Sequence, residues 1–343
     1  MKLGIIGLTG SGKTTVFEAL TRNISESAHK GETRIGTIQV PDSRVDILSR
    51  MYQPKKTIYA QVEYFLPGIQ SQQEKNRELS IWTQVRDCDA LIHVVRNFSV
   101  YGMPEPAPYK DVLALDQELI LSDLVVVEKR LERVELDKKR GKPVSPEEMS
   151  LLRECHQLLE QETPLRKFPD IASSHLLRGY AFLSAKPMLI LFNNDDDNDD
   201  LPDVGDLTAK ETCMIIKSKL EHELAQMTEE EALDFLQEFN ISKTATDRVI
   251  KQSYELLGLI SFFTVGEDEV RAWTIKKDLP ALDAAEVIHS DIKKGFIRAE
   301  VLFYDDLIDA GSYAEARKKG TVRLEGKTYI VKDGDIAHFR FNV

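Results

Sequence analysis

The first fifteen residues constrain this chain more than any other stretch. Leu3-Gly-Ile-Ile-Gly-Leu8 is a short apolar run with paired isoleucines, as expected of a strand buried on both faces. It breaks into Gly7-x4-Gly12-Lys13-Thr14 and then into residues 16–22, whose spacing is helical. Strand, glycine-rich loop and helix, in that order, are the context a phosphate-binding loop requires. Small residues let successive backbone N–H groups turn inward around phosphate oxygens, and the helix N-terminus adds positive potential. The candidates for phosphate contact are therefore Thr9, Gly10, Ser11, Gly12, Lys13, Thr14 and Thr15. Lys13 would supply a point charge to the β- and γ-phosphates, and Thr14 a hydroxyl to Mg2+. A glycine-rich turn that binds nothing is the plain alternative, and the flanking strand and helix weigh against it. The expected ligand is a nucleoside triphosphate with Mg2+.

The bulk numbers bound the rest. A chain of 343 residues suggests two or three domains, and 42% hydrophobic residues suffice for real cores. A net charge of −12 argues against a protein that simply coats nucleic acid. Cys88, Cys155 and Cys213 are far apart and form no CxxC pair, which fits a reducing compartment without disulfides or a zinc site. No apolar run reaches membrane-spanning length, and the N-terminus is itself a core strand. The expectation is a soluble cytoplasmic protein with no membrane partner.

Residues 37–40 read as a strand, 45–51 as a short helix and 57–66 as one alternating strand that ends at Pro67-Gly68. Residues 78–87 read as a helix with Leu79, Trp82 and Val85 on one face. Residues 90–95 are a buried strand, and His93 inside it is expected to be a satisfied core histidine rather than a ligand. From 111 to 140 apolar residues recur three or four apart, which predicts a long amphipathic helix. Gly141-Lys-Pro143 breaks it, Ser145-Pro-Glu-Glu148 is a capping box, and a second helix follows. The pair predicts an antiparallel, coiled-coil-like hairpin with Lys138, Lys139, Arg140 and Lys142 at its tip. That tip is as consistent with a solvated end as with a phosphate-backbone contact.

Residues 174–184 read as a helix, 187–192 and 213–216 as strands, and 219–227 and 229–239 as helices. Strand–helix alternation on both sides of the hairpin predicts one parallel sheet covered by helices, with the hairpin inserted in it. In the last stretch, strands at 270–275, 297–303, 327–331 and 336–341 around a helix at 284–294 make a β-grasp plan. The fold class is α/β, a P-loop sheet with an α-helical insertion and a C-terminal β-grasp domain. The expected boundaries are 1–110 with 184–258, then 111–183, then 259–343.

The chain resembles the Obg-like ATPases of the YchF group, P-loop proteins linked to translation that end in a TGS domain. The likeness runs nearly end to end. It is carried by Gly4-Ile-Ile-Gly-Leu, Val40-Pro-Asp-Ser-Arg44, Glu118-Leu with Asp123-Leu, Val127-Glu-Lys-Arg-Leu-Glu-Arg133 and Lys186-Pro187. It is strongest in Phe263-Thr-Val-Gly-Glu, Glu269-Val-Arg-Ala-Trp-Thr, Lys294-Gly-Phe-Ile-Arg-Ala-Glu300, Arg323-Leu-Glu-Gly-Lys327 and His338-Phe-Arg-Phe-Asn-Val343. The resemblance implies ATP preferred over or alongside GTP. It implies the ribosome as partner, through its large subunit or ribosomal RNA, and a monomer.

Family members read the base with Asn-x-x-Glu, and the matching stretch here is Asn193-Asn194-Asp195-Asp196. Asn193 can support the base edge. Asp196, a shorter acid, could accept from guanine N1 and N2, a donor pair adenine lacks. Ser218, after the last of the sheet strands, completes the nucleotide-contacting set. The switch regions depart further. Where the family carries Asp-x-x-Gly, this chain has Phe65-Leu66-Pro67-Gly68. Lys30 falls at the place of the family's switch threonine, with Thr33 nearby but out of register. The glycine-rich second switch is replaced by Gln70-Ser-Gln-Gln-Glu-Lys-Asn76. Phosphoryl transfer depends on positioning and charge neutralisation, so each missing part should slow it. Three readings remain open: a slow ribosome-associated NTPase, a nucleotide-binding switch that no longer hydrolyses, and a docking protein with a vestigial loop.

Overall fold

The computed structural model describes residues 1–23, 31–68, 81–238 and 244–342. The chain divides into two compact units, one of Met1–Thr37 with Glu63–Val249 and one of Ile38–Val62 with Ile250–Val343. Residues 38–62, which precede the helical hairpin in sequence, thus group with the C-terminal part.

A six-stranded sheet runs in the order β2 (Arg34–Gln39), β4 (Gln61–Leu66), β1 (Lys2–Ile6), β5 (Ala90–Asn97), β6 (Met188–Asn194) and β7 (Thr212–Ile216). β1 pairs parallel with β4 and β5, and β5–β6 and β6–β7 are parallel too. β6 is buried along its whole length, which is why the residues of 188–192 are continuously apolar rather than alternating. Helix α1 (Lys13–Thr21) follows β1 directly, as the glycine loop predicts.

The helical hairpin consists of α2 (Pro108–Lys139) and α3 (Pro146–Glu160). Ser145 caps α3 by accepting from the Glu148 amide at 3.2 Å. Ile120, Val127, Leu152, Cys155 and Leu159 close the seam between the two helices. At its base the hairpin is held by charge. The buried carboxylate of Asp123 accepts from the Leu183 and Ser184 amides at 3.0 and 2.7 Å and pairs with Arg86. Arg166 lies between Asp116 and Glu211 at 2.7 and 2.9 Å. This explains the first correction to the sequence reading. Residues 174–184 are not a helix but turns with a short 3₁₀ segment (Arg178–Tyr180), because the Leu183 and Ser184 amides are drawn to Asp123 and Ala181 turns at φ 48°.

In the other unit the sheet order is β11 (Arg323–Glu325), β10 (Phe296–Phe303), β12 (Asp335–Phe341), β8 (Leu259–Val265), β9 (Glu269–Lys276) and β3 (Lys56–Ile58). A helix at Ala281–Ile288 packs Ala281, Ala284 and Ala285 against Phe262, Phe296, Val301 and Phe339, the wrapped helix of a β-grasp. Two further expectations fail here. The run at 57–66 is two strands in two sheets: Lys56–Ile58 pairs with 269–271 on β9, and Gln61–Leu66 continues into the other sheet. The run at 327–331 is no strand. Its carbonyls at Tyr329 and Lys327 accept from the Ala281 and Leu282 amides at 2.7 and 3.2 Å, standing in for the side-chain cap that helix lacks. The expected helix at 284–294 breaks at His289 into two.

Candidate functional site

The phosphate loop leaves β1 at Gly7 and enters α1 at Gly12. Both glycines are required where they stand. Gly7 has φ +151°, and a Cβ there would lie 2.3 Å from the Val94 carbonyl oxygen; at Gly12, φ +91°, it would lie 2.3 Å from the Asn193 amide nitrogen. Helix α1 has no side-chain cap and no acidic residue in its first turn. Its leading N–H groups are therefore available to an anion, with the helix dipole behind them. Lys13 Nζ folds back onto the loop, donating to the Gly7 and Leu8 carbonyls at 2.6 and 2.7 Å. Thr9, Gly10 and Thr14 are exposed, Thr15 half-buried, and Ser11 buried with its hydroxyl lacking a hydrogen-bond partner.

Asn193 closes the loop from the side. It is 2% exposed, and its amide group spans two elements. Nδ2 donates to the Ser11 carbonyl at 3.1 Å and Oδ1 accepts from the Ser218 amide at 3.1 Å. Asn193 and Ser218 are thus brought to the phosphate loop from the ends of β6 and β7. Asp196 lies on the exposed turn after β6, 3.8 Å from Lys219 Nζ, next to Ser218 in sequence. Beside the loop, Arg96 donates to the Phe98 and Pro104 carbonyls at 3.2 and 2.8 Å, and Met103 approaches Gly10.

Beneath this wall, His93 is fully buried and neither ring nitrogen has a hydrogen-bond partner among the described residues. It is a core residue, as expected, but not a satisfied one. Burial first, and then the charges of Arg166 and Lys13, push its pKa down to about 3, so the ring is neutral.

The switch side is built differently. Phe65 belongs to the sheet core and carries Lys2 Nζ 3.9 Å over its ring. Among the described residues no carboxylate stands there to support a metal. Among the described residues no group of three or more His, Cys, Asp or Glu could hold a metal ion. A loop with free amides, a lysine and a threonine suits a triphosphate that brings its own Mg2+; Thr14 is the protein ligand such a complex would find. Lys30 and residues 70–76 lie outside the described residues. Thr33 does have a role, but toward Gln84, which the sequence reading passed over. A glutamine on a helical stretch carries no signal of its own.

Fold and site together define a P-loop nucleotide-binding protein of the GTPase-like class with a helical insertion and a C-terminal β-grasp domain. The comparisons name the family. The chain is 37% identical, over 361 aligned positions covering 99% of each protein, to the ribosome-binding ATPase YchF of Bacillus subtilis (strain 168). It is 35% identical over 363 positions to that of Escherichia coli O157:H7, covering 100% of this chain and 99% of the relative. The structure of the Schizosaccharomyces pombe YchF GTPase superposes with a TM-score of 0.84 at 28% identity, covering 99% of this chain and 97% of that one. A family model, YchF-GTPase_C, described as a protein of unknown function (DUF933), matches residues 259–342. The chain belongs to the YchF family.

Proposed function

We propose that this chain binds ATP or GTP with Mg2+ and works in contact with the ribosome, hydrolysing its nucleotide slowly. Thr9, Gly10, Ser11, Gly12, Lys13, Thr14 and Thr15 surround the phosphates, and Thr14 also ligates Mg2+. The metal supplies charge neutralisation on the phosphate oxygens. Asn193 braces the loop, and Asp196 with Ser218 faces the base. The observation that carries this reading is the uncapped N-terminus of α1 under a glycine loop, with Lys13 inside it and Asn193 bonded across it. Relatives named ribosome-binding ATPases support the ribosome as partner, and the large subunit or its RNA is the form we favour. Residues 1–110 with 184–258 would act as the nucleotide domain, 111–183 as the helical arm and 259–343 as the docking module of a cytoplasmic monomer. Among the described residues no helix is long and apolar enough to cross a membrane.

One observation favours a second reading, a binding switch without turnover: Phe65 is packed into the core where the family has its acid. Phosphate release from ATP and GTP with Mg2+, with and without large ribosomal subunits and with Lys13→Ala as blank, separates the two. Turnover above the blank supports the first reading. Binding with no turnover in any condition replaces it with the second.

A further inference from the structure

We propose that Gln84 fixes the nucleotide-state specificity of this site, by tying Gly68 to Thr33, one residue from each of the two places that other switch NTPases order with γ-phosphate, so that di- and triphosphates bind alike. The proposal rests on the nucleotide-binding reading above. In switch NTPases those two segments are held by contacts to γ-phosphate and Mg2+ and released when the phosphate leaves. Of those two segments the described residues are Gly31–Thr33 and Gly68, and these are joined.

The joint is compact. The Gly68 amide donates to both Thr33 Oγ1 and Gln84 Oε1, at 3.2 and 3.1 Å. The Gly68 carbonyl accepts from Gln84 Nε2 at 3.0 Å. The Thr33 hydroxyl donates to Gln84 Oε1 at 3.0 Å. The two backbones touch: a Cβ on Gly68 would lie 2.5 Å from the Thr33 nitrogen and 2.6 Å from the Gly31 oxygen. Gln84 itself is anchored, because its neighbours Trp82 and Val85 are buried in the sheet core. The primary amide thus meets the donor and the acceptor of Gly68 at once, a geometry no carboxylate could reproduce.

The consequence follows from population arithmetic. A ligand shifts a conformational equilibrium only by its differential affinity for the two states. With Gly68 and Thr33 already joined by Gln84, a γ-phosphate gains no energy from bringing these two residues together, and it must compete for the Gly68 amide to make a contact of its own. Phe65 stands where an acid would reward the triphosphate through Mg2+, and among the described residues no carboxylate replaces it. Both effects level the two nucleotide states.

The test uses the full-length protein, Mg2+, and fluorescent ADP, GDP and non-hydrolysable ATP and GTP analogues. The wild type should bind the di- and triphosphate of one base within about threefold of each other, and Gln84→Leu, which keeps volume without the amide, should favour the triphosphate by about tenfold. Should Gln84→Leu not fold, Thr33→Val removes the hydroxyl alone and should move the ratio the same way by a smaller factor. A wild type that prefers the triphosphate by more than about tenfold overturns the proposal. So does a folded variant whose ratio stays at the wild-type value. Lys13→Ala keeps the two failures apart. If it binds every nucleotide as the wild type does, the nucleotide reading falls and this proposal with it. A failure at Gln84 alone leaves that reading standing.

Discussion

At the phosphate loop, side chains hold backbone donors open. At Gly68, side chains close them. Asn193 reaches across from β6 to bond the Ser11 carbonyl and the Ser218 amide, leaving the leading N–H groups of α1 uncapped. Gln84 does the reverse, spending both ends of an amide on the Gly68 backbone. The same chemical group therefore braces an uncapped helix end in one place and closes a stretch of backbone in the other. Under the proposed function, the difference makes binding and switching separable in this fold. The first needs one loop and one helix end. The second needs partners for Gly68 and Thr33, and in this structure those partners are protein groups.

Four measurements break or sharpen that contrast. The largest effect is expected at Lys13→Ala, which removes the charge on the open side: nucleotide affinity should fall about 100-fold, near 2.7 kcal/mol. A titration showing less than about a threefold loss would mean that nucleotide is not held at this loop. Next comes Asn193→Ala. It strands the buried Ser11 carbonyl and Ser218 amide, so urea unfolding should report about 1–3 kcal/mol of lost stability, with weaker nucleotide binding alongside. Retained stability would show that the brace is not what keeps the loop open.

The third concerns His93, under the open wall. The folded state keeps the ring neutral down to about pH 3, whereas the unfolded chain takes up a proton below its ordinary value of 6.5. The unfolded state therefore binds more protons between those values. Stability contributed by this residue is full above pH 6.5 and lost as pH falls, by up to about 1.4 kcal/mol per unit. His93→Leu should flatten that part of the stability–pH curve; an unchanged slope would assign the acid sensitivity elsewhere. The smallest effect belongs to the closed side. Thr33→Val, at an exposed residue, should cost at most about 1 kcal/mol of stability, with much less loss of nucleotide affinity than Asn193→Ala. An affinity loss as large as that of Asn193→Ala would erase the distinction between the two sides.

The open side was legible in the sequence because its requirements are local. Gly7, Gly12, Lys13 and Thr14 fall at fixed spacing between a strand and a helix, and the spacing states the geometry. Much of the fold was legible for the same reason: buried strands read as continuous apolar runs, and the hairpin announced itself by period and by its Ser145 cap. What stayed hidden depends on contacts between distant residues. Gln84 meets Gly68 and Thr33 from 16 and 51 positions away. The run at 327–331 has strand composition, yet its carbonyls cap a helix, a use set by where Ala281 arrives. The run at 174–184 lost its helix to one carboxylate, Asp123, in a different element. Asn193 was found by its motif, but its bracing bonds could be seen only once β6 and β7 had placed Ser11 and Ser218 beside it.

Residues 38–62 group with the C-terminal unit although they are made before the hairpin begins. On a ribosome this becomes a matter of timing. Lys56–Ile58 has its strand partner at Glu269–Arg271, more than two hundred residues later. At about 5–20 residues per second, the segment waits on the order of tens of seconds for that partner to be synthesised. A nascent chain stopped before β9 would carry an unpaired strand, and a C-terminal fragment made alone would lack one. This protein closes its second unit only after almost all of its own synthesis.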